Sequence, residues 1–83
     1  MKQTFINVMA MHDPNGRVIP HYILWRDRRY DIDRVTDIRR SASTRTGGAG
    51  LRYTCFILGR ERFLFYDENK WFVEEQSDGV YEA

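Results

Sequence analysis

The sequence predicts a small all-β domain. Turn-forming residues separate its apolar segments at intervals of about eight to twelve residues, a spacing typical of short strands joined by tight turns. The 83-residue chain also carries twelve aromatic side chains, too many for the thin core that a chain of this size can build. A flat sheet would leave one face wet and both edges bare. We therefore predict a single domain over 1–83, a six-stranded antiparallel meander curled into a partly open SH3-like or OB-like barrel.

The first two strands are predicted from alternation and composition. Residues 3–11 alternate their side chains with period two, and residues 21–26 are rich in β-branched and aromatic side chains. The sequence DPNG at 13–16 predicts a tight turn between them, because Pro fixes φ and Asn-Gly tolerates positive φ.

Residues 29–43 admit two interpretations. Tyr30 and Ile32 alternate as in a strand, whereas Val35 and Ile38 are three residues apart. Either a β-bulge near Asp33 and Arg34 shifts the phase of one long bent strand, or residues 33–40 form a short helix. We favour the bent strand.

The second half of the chain predicts three more strands, over 51–58, 62–66 and 71–75, with a frayed polar tail over 75–83. The run Phe63, Leu64, Phe65, Tyr66 is apolar on both faces of its strand. Since one thin core cannot hold every such side chain, some aromatic rings should lie at the surface.

Charge is distributed unevenly along the chain. Residues 1–37 carry a net charge of +1, residues 38–60 carry five arginines and no acid, and residues 61–83 carry −5. Eleven of the thirteen cationic side chains are arginine, which makes bidentate contacts with carboxylates and phosphates. The candidates for contact with phosphate are the five arginines of the acid-free segment, Arg39, Arg40, Arg45, Arg52 and Arg60.

The segment SASTRTGGAG at 41–50 lies inside that basic stretch. Its glycines match neither the phosphate-binding Walker loop nor the dinucleotide fingerprint, and a strand pattern follows it instead of a helix. It is therefore either a loop that grips an anion through its arginines and backbone amides, or a plain hairpin connection beside a solvated charged face.

The sequence contains no pattern for catalysis, a metal or a cofactor. Asp31, Asp33 and Asp37 lack the glycine and the closing glutamate of a calcium loop, so they are expected to pair with arginines at the surface. His12, His21 and Cys55 do not have zinc-ligand spacing. We predict that the protein is not an enzyme, and Cys55 as a catalytic nucleophile is the weakest of three functional hypotheses.

The two stronger hypotheses both use the surplus of aromatic rings. In a nucleic-acid accessory module, Trp25, Tyr53 and Tyr66 would stack on bases while the arginines neutralise phosphates of single-stranded or duplex nucleic acid. In a protein-interaction or homodimerisation module, an aromatic sheet face or an unpaired edge strand would bind another protein or a second copy. The sequence alone does not separate them.

Cysteine usage and hydropathy predict the compartment. One cysteine permits no intramolecular disulfide, which fits a reducing environment. The apolar run at 5–11 is too short for a secretion signal and leads to no cleavage site, and no segment is long enough to span a membrane. We therefore expect a cytoplasmic protein that does not bind membranes.

A further set of positions forms a recurring pattern along roughly 5–75. These positions are Ile19, Pro20, Trp25, Tyr30, Ile32, Val35, Arg39, Gly47, Gly48, Gly50, Arg52, Tyr53, Trp71, Phe72, Val73 and Glu74. In this pattern the chain resembles a group of small uncharacterised bacterial proteins, found mainly in Gram-positive anaerobes, which has no established catalytic residue.

The order of the W-R-x-R-x-Y, R-Y and W-F motifs is more loosely similar to a domain often encoded beside translesion DNA polymerases in actinobacteria. That domain lacks the glycine loop, and the tryptophans that it often carries before this point are missing here. This second resemblance implies a barrel and an association with DNA.

Overall fold

A computed structural model describes residues 2–41 and 50–75 and confirms the all-β class. Its strands form two antiparallel sheets that are not closed into a barrel, and no described residue is helical. The described part of the chain accordingly contains no helix that could cross a membrane. The strands are β1 (Lys2–Phe5), β2 (Asn7–His12), β3 (Val18–Trp25), β4 (Arg28–Asp31), β5 (Arg34–Ser41), β6 (Gly50–Ile57), β7 (Arg60–Asp67) and β8 (Lys70–Glu75).

The five-stranded sheet has the order β1-β8-β7-β6-β5, and the three-stranded sheet has the order β2-β3-β4. There are eight strands instead of the predicted six because two predicted strands each contribute to both sheets. The first runs through β1 and β2, and the other runs through β4 and β5. The predicted meander is otherwise preserved, with β1 added against β8.

Backbone hydrogen bonds hold both crossing points. The amide of Ile32 donates to the carbonyl of His21 in the three-stranded sheet at 2.9 Å, and the next amide, that of Asp33, donates to Phe56 in the five-stranded sheet at 2.8 Å. At the other crossing, Ile6 donates to the carbonyl of Trp71 at 3.1 Å. The chain therefore changes sheets without leaving these amides unpaired.

Strand β5 contains the bulge that the sequence predicted. Val35 pairs with Cys55 and Asp37 pairs with Thr54, so Thr36 is the extra residue. The alternative helix over 33–40 is wrong, because these residues pair with β6 or lie at the crossing. The bulge lies two residues beyond Arg34, since residues 32 and 33 are used to change sheets.

Tight turns connect most neighbouring strands. Two-residue loops join β3 to β4, β6 to β7 and β7 to β8, and both residues of each loop have positive φ, as type I′ hairpins require. The predicted DPNG turn is present, with Asp13 accepting hydrogen bonds from the amides of Asn15 and Arg17. Of the loop predicted over 41–50, residues 42–49 lie outside the described residues, and Ser41 pairs with Gly50 on either side of them. Of the tail predicted over 75–83, Glu75 belongs to β8, and residues 76–83 lie outside the described residues.

Strand β3 begins at Val18, three residues before the strand predicted over 21–26. The predicted strand began at residue 21, immediately after Pro20, and a proline cannot donate a backbone hydrogen bond to a sheet. Pro20 is accommodated because β4 pairs with β3 only from Tyr22 onward and the register against β2 shifts at the same place.

The core lies between the two sheets and is centred on aromatic side chains. Tyr53 and Trp71 are buried, with ring centroids 5.0 Å apart. The Tyr53 hydroxyl donates to the carbonyl of Val18 in β3, 2.5 Å away. Burial raises the pKa of Tyr53, and the neighbouring Tyr66 and Cys55 add to the shift. One tyrosine thus joins the two sheets both by packing and by a hydrogen bond.

We expect Tyr53→Phe to lower the free energy of unfolding by about 1 to 2 kcal/mol, because it leaves a carbonyl of β3 without its donor. Tyr66→Phe is the matched control. It removes a hydroxyl that donates to Asn69 at the surface, and its cost should be below about 0.5 kcal/mol. Urea denaturation followed by circular dichroism measures both. Equal costs for the two variants would contradict the role assigned to Tyr53.

Candidate binding face

One face of the five-stranded sheet is turned away from the core and carries cations and aromatic rings. Residues that pair directly across strands share a face, and one such row runs Arg39, Arg52, Phe65, Phe72 and Phe5. We call the side of the sheet that carries this row the outer face. The opposite side, which carries Tyr53, Leu64 and Trp71, is the inner face.

Three phenylalanines of the row form a continuous cluster. The Phe65 and Phe72 rings stack at 5.4 Å, and Phe5 meets Phe72 edge-on at 5.9 Å. Phe72 is fully buried beneath its neighbours, whereas Phe5 is 53% exposed. The ammonium group of Lys70 lies 5.7 Å from the Phe5 ring centroid. The cluster therefore gives the outer face a rigid aromatic centre with an exposed edge.

Arginines cover the remaining rings of the outer face. The guanidinium of Arg34 lies 4.2 Å from the centroid of the Phe56 ring, and that of Arg52 lies 4.8 Å from the centroid of Phe63. Phe63 is still 41% exposed. Cation–π contacts of this kind fix long side chains in place, so the guanidinium groups are held against the sheet.

The bulge at Thr36 determines which arginines of β5 lie on the outer face. Arg34 and Arg39 are five residues apart and would point to opposite faces of a regular strand. Because Thr36 is an extra residue, Arg34 pairs with Phe56 and Arg39 pairs with Arg52, and both partners lie on the outer face. The bulge thus places Arg34 on the same face of the sheet as Arg39 and Arg52.

Arg39 and Arg52 are direct cross-strand neighbours, an arrangement that like charges disfavour. Asp37 offsets part of this repulsion by accepting a hydrogen bond from Arg39 Nε at 2.6 Å, at a largely exposed position. The Nε atom of Arg52 is buried and has no hydrogen-bond partner in the structure. A buried donor without an acceptor is uncommon in proteins, so the pairing of Arg39 with Arg52 is unfavourable for the folded chain by itself.

The structure brings together only two of the five predicted arginines. Arg39 and Arg52 lie on the outer face, whereas Arg40 pairs with Leu51 and belongs to the inner side at the end of its strand. Arg60 pairs with Ile57, also on the inner side. Arg45 lies outside the described residues. The continuous basic segment of the sequence is therefore not one continuous basic surface.

None of the three predicted stacking residues lies on the outer face. Tyr53 is 1% exposed and cannot stack on a base, so this prediction is wrong. Tyr66 is half-buried on the inner face, with its ring 4.6 Å from that of Trp71. Trp25 is half-buried on β3, with the guanidinium of Arg26 5.5 Å from its ring centroid.

Among residues 2–41 and 50–75, the most exposed rings are those of Phe5 and Phe63. The run at 63–66, apolar on both faces, indicated that some rings would be exposed. Phe63 is exposed while Leu64 is 1% exposed, and Tyr66 packs on the core. Choosing between the two sides required knowing that Tyr53 pairs with Leu64. The alternation alone could have identified Phe63 and Phe65 as one pair, but not which pair is outward.

Of the three aspartates that were expected to pair with arginines, Asp31 and Asp37 do so, and no ion pair with a described residue is shown for Asp33. Asp31 accepts a hydrogen bond from Arg29 Nε at 2.7 Å, and Asp37 accepts one from Arg39. Within residues 2–41 and 50–75, no three His, Cys, Asp or Glu side chains are arranged so that they could hold a metal ion.

Cys55 lies in the core with no exposed surface, and burial raises its pKa to about 11. At neutral pH it is therefore a protonated thiol without access to a substrate. These are not the surroundings that activate a nucleophile.

The comparisons with known proteins add no relative. No family model matches the chain, and no match is found among curated proteins or solved structures.

The raised pKa of Cys55 predicts how stability depends on pH. The unfolded thiol ionises near its ordinary value of 9.0 and the folded one near 11, so stability is complete below about pH 9 and is lost as pH rises toward 11. From about pH 8 to about pH 10.5, the free energy of unfolding should fall by about 1 to 2 kcal/mol more than in Cys55→Ala.

Denaturant titrations at several pH values measure this difference in slope. Reaction of the thiol with a disulfide reagent is a second measurement, and it should be slow until the protein is unfolded. A fast reaction of the native protein at neutral pH would contradict the burial of Cys55 and restore the nucleophile hypothesis.

Proposed function

We propose that the protein is a non-enzymatic binding module that holds single-stranded nucleic acid on the outer face of its five-stranded sheet. The observation that carries the proposal is the direct pairing of Arg39 with Arg52 beside exposed phenylalanines. This arrangement does not optimise the stability of the folded chain alone. It suits a ligand that alternates anionic and flat aromatic groups.

Charge supports a phosphate ligand. Arg34, Arg39 and Arg52 lie on one face within two adjacent strands, and phosphates accept the bidentate hydrogen bonds that guanidinium groups donate. A bound phosphate would relieve the repulsion between Arg39 and Arg52.

The exposed rings support a single strand in preference to a duplex. Bases stack on aromatic side chains and on guanidinium planes when they are unpaired. Phe5 is exposed at one end of the row, and Phe63 is exposed two residues from Phe65 on β7, whereas the bases of a duplex are already stacked on one another. The proposed contacts are therefore phosphates at the arginines and bases at Phe63, Phe65 and Phe5.

We expect the salt dependence of the binding affinity to report the number of phosphate contacts. For a labelled oligonucleotide of about 12 nucleotides, three phosphate contacts predict a slope of log affinity against log salt of about −2.1. The double variant Arg39→Gln/Arg52→Gln should reduce the slope to about −0.7. Phe63→Ala should weaken binding about tenfold or more through lost stacking. Fluorescence anisotropy measures each quantity.

Matched control variants distinguish binding at the outer face from a nonspecific effect of net charge. Arg60→Gln/Arg62→Gln removes the same number of charges from the inner side of β7 and should leave the slope near that of the parent protein. Leu24→Ala removes a comparably exposed apolar side chain from the three-stranded sheet and should not change the affinity. A parent protein that binds no oligonucleotide at low salt would refute the proposal, as would equal losses in both arginine pairs.

A second candidate function is homodimerisation through the same face. It is favoured by the exposure of Phe5 and Phe63 and by the presence of both charge signs, since Asp37 and Glu61 occupy outer-face positions. The edge of β5 is a weaker interface, because its bulge and its charged side chains oppose pairing with another strand.

A dimer predicts a sedimentation mass that is twice that of the monomer and persists on dilution. Phe63→Glu should return the mass to that of the monomer, because it would bury a carboxylate between apolar faces. Leu24→Glu on the three-stranded sheet is the control and should leave the mass unchanged. A monomeric parent protein at every concentration would exclude this candidate.

We propose a cytoplasmic location, because the single cysteine permits no intramolecular disulfide. A bacterial source is proposed from the two resemblances. The loose similarity to a domain encoded beside translesion polymerases is consistent with a single-stranded DNA ligand. Membership in either bacterial group remains a prediction.

A further inference from the structure

The inner side of the molecule contains a second feature, which the outer face does not explain. A cavity of about 300 Å³ lies between the two sheets beside the turn at Leu58 and Gly59. Its floor is apolar and is formed by side chains of both sheets, namely Ile6, Ile23, Ile57, Leu64 and Val73. This volume is at the lower end of the range found for small-molecule sites.

Two arginines line the cavity at positions where the strand pattern calls for apolar side chains. Arg60 and Arg62 pair with Ile57 and Cys55, so they occupy the inner face of β7 together with Leu64. Departures from the binary pattern are expected where a strand has a function besides folding.

The turn at the cavity mouth is a second departure. Leu58 has φ of 53° at the first position of a type I′ turn and is 76% exposed. Asparagine is the residue that this position favours. Leucine is strained there and exposes an apolar side chain to water, yet it lines the cavity. An apolar ligand that extends to the mouth would bury this side chain.

We propose that the cavity binds a small amphipathic carboxylate, with its apolar chain on the isoleucine and leucine floor and its carboxylate at Arg60 and Arg62. Guanidinium groups attract anions, and their planar arrangement of donors matches a carboxylate. Trp25 and Tyr30 form an aromatic part of the wall. Trp25 therefore provides a fluorescence signal for occupancy.

Decanoate is the probe, titrated into the full-length protein and followed by tryptophan fluorescence and calorimetry. We expect saturable binding at one site, at least about tenfold tighter than the binding of decanol or decyltrimethylammonium. Arg60→Gln/Arg62→Gln should weaken decanoate about tenfold or more and leave decanol unchanged. Arg39→Gln/Arg52→Gln, on the outer face, should change neither.

Leu58→Asn provides a readout that a purely structural role would not give. It should raise the melting temperature, because asparagine suits the turn, and it should weaken decanoate binding because the apolar contact is lost. Trp25→Phe should abolish the fluorescence change on decanoate binding, which would show that the signal comes from the cavity wall. No saturable decanoate binding, equal binding of the cationic probe, or full affinity in the double arginine variant would each overturn the proposal.

Discussion

The structure depends on the crossing at Ile32 and Asp33, where consecutive amides donate to carbonyls of different sheets. Backbone polar groups in a thin core must find partners, so this exchange fixes where one sheet stops and the other begins. The second crossing at Ile6 repeats the arrangement at the opposite side of the molecule. Because both crossing segments are shared, neither sheet can slide without breaking bonds in the other. Tyr53 adds a side-chain link from β6 to β3, and the inner face is committed to the core.

That commitment leaves the outer face of the five-stranded sheet free for another use. The core uses one side of β6 and β7, while the other side still carries phenylalanines and arginines. In a small domain such side chains contribute less to stability than they would if buried. The two cross-strand arginines even oppose folding. A face of this composition is better explained by a ligand than by the stability of the chain.

The sequence was sufficient for the fold class, most strand positions and the presence of a bulge, because these follow from local periodicity and turn chemistry. It was not sufficient for the crossings, because a bent strand that serves two sheets has the same alternation as a straight one. The position of the bulge at Thr36 decided the side on which Arg34 lies, and the pattern fixed only its neighbourhood. Tyr53 was a candidate for stacking at the surface, and here the pattern of its own strand was the better guide. Tyr53 alternates with Leu51, Cys55 and Ile57, whereas the other face of its strand carries Arg52 and Thr54. That alternation favours burial of Tyr53, and its pairing with Leu64 and contact with Trp71 bear this out.

Strand β7 separates the two proposed sites by the alternation of its side chains. Phe63 and Phe65 point to the outer face, while Arg62 and Leu64 point to the cavity. Neighbouring residues of one strand therefore serve opposite sides of a sheet, and each set contacts different partners. Substitutions that share no partners usually have independent effects. The same backbone can thus hold a nucleic-acid face and a carboxylate cavity, and either site can be absent without weakening the physical case for the other.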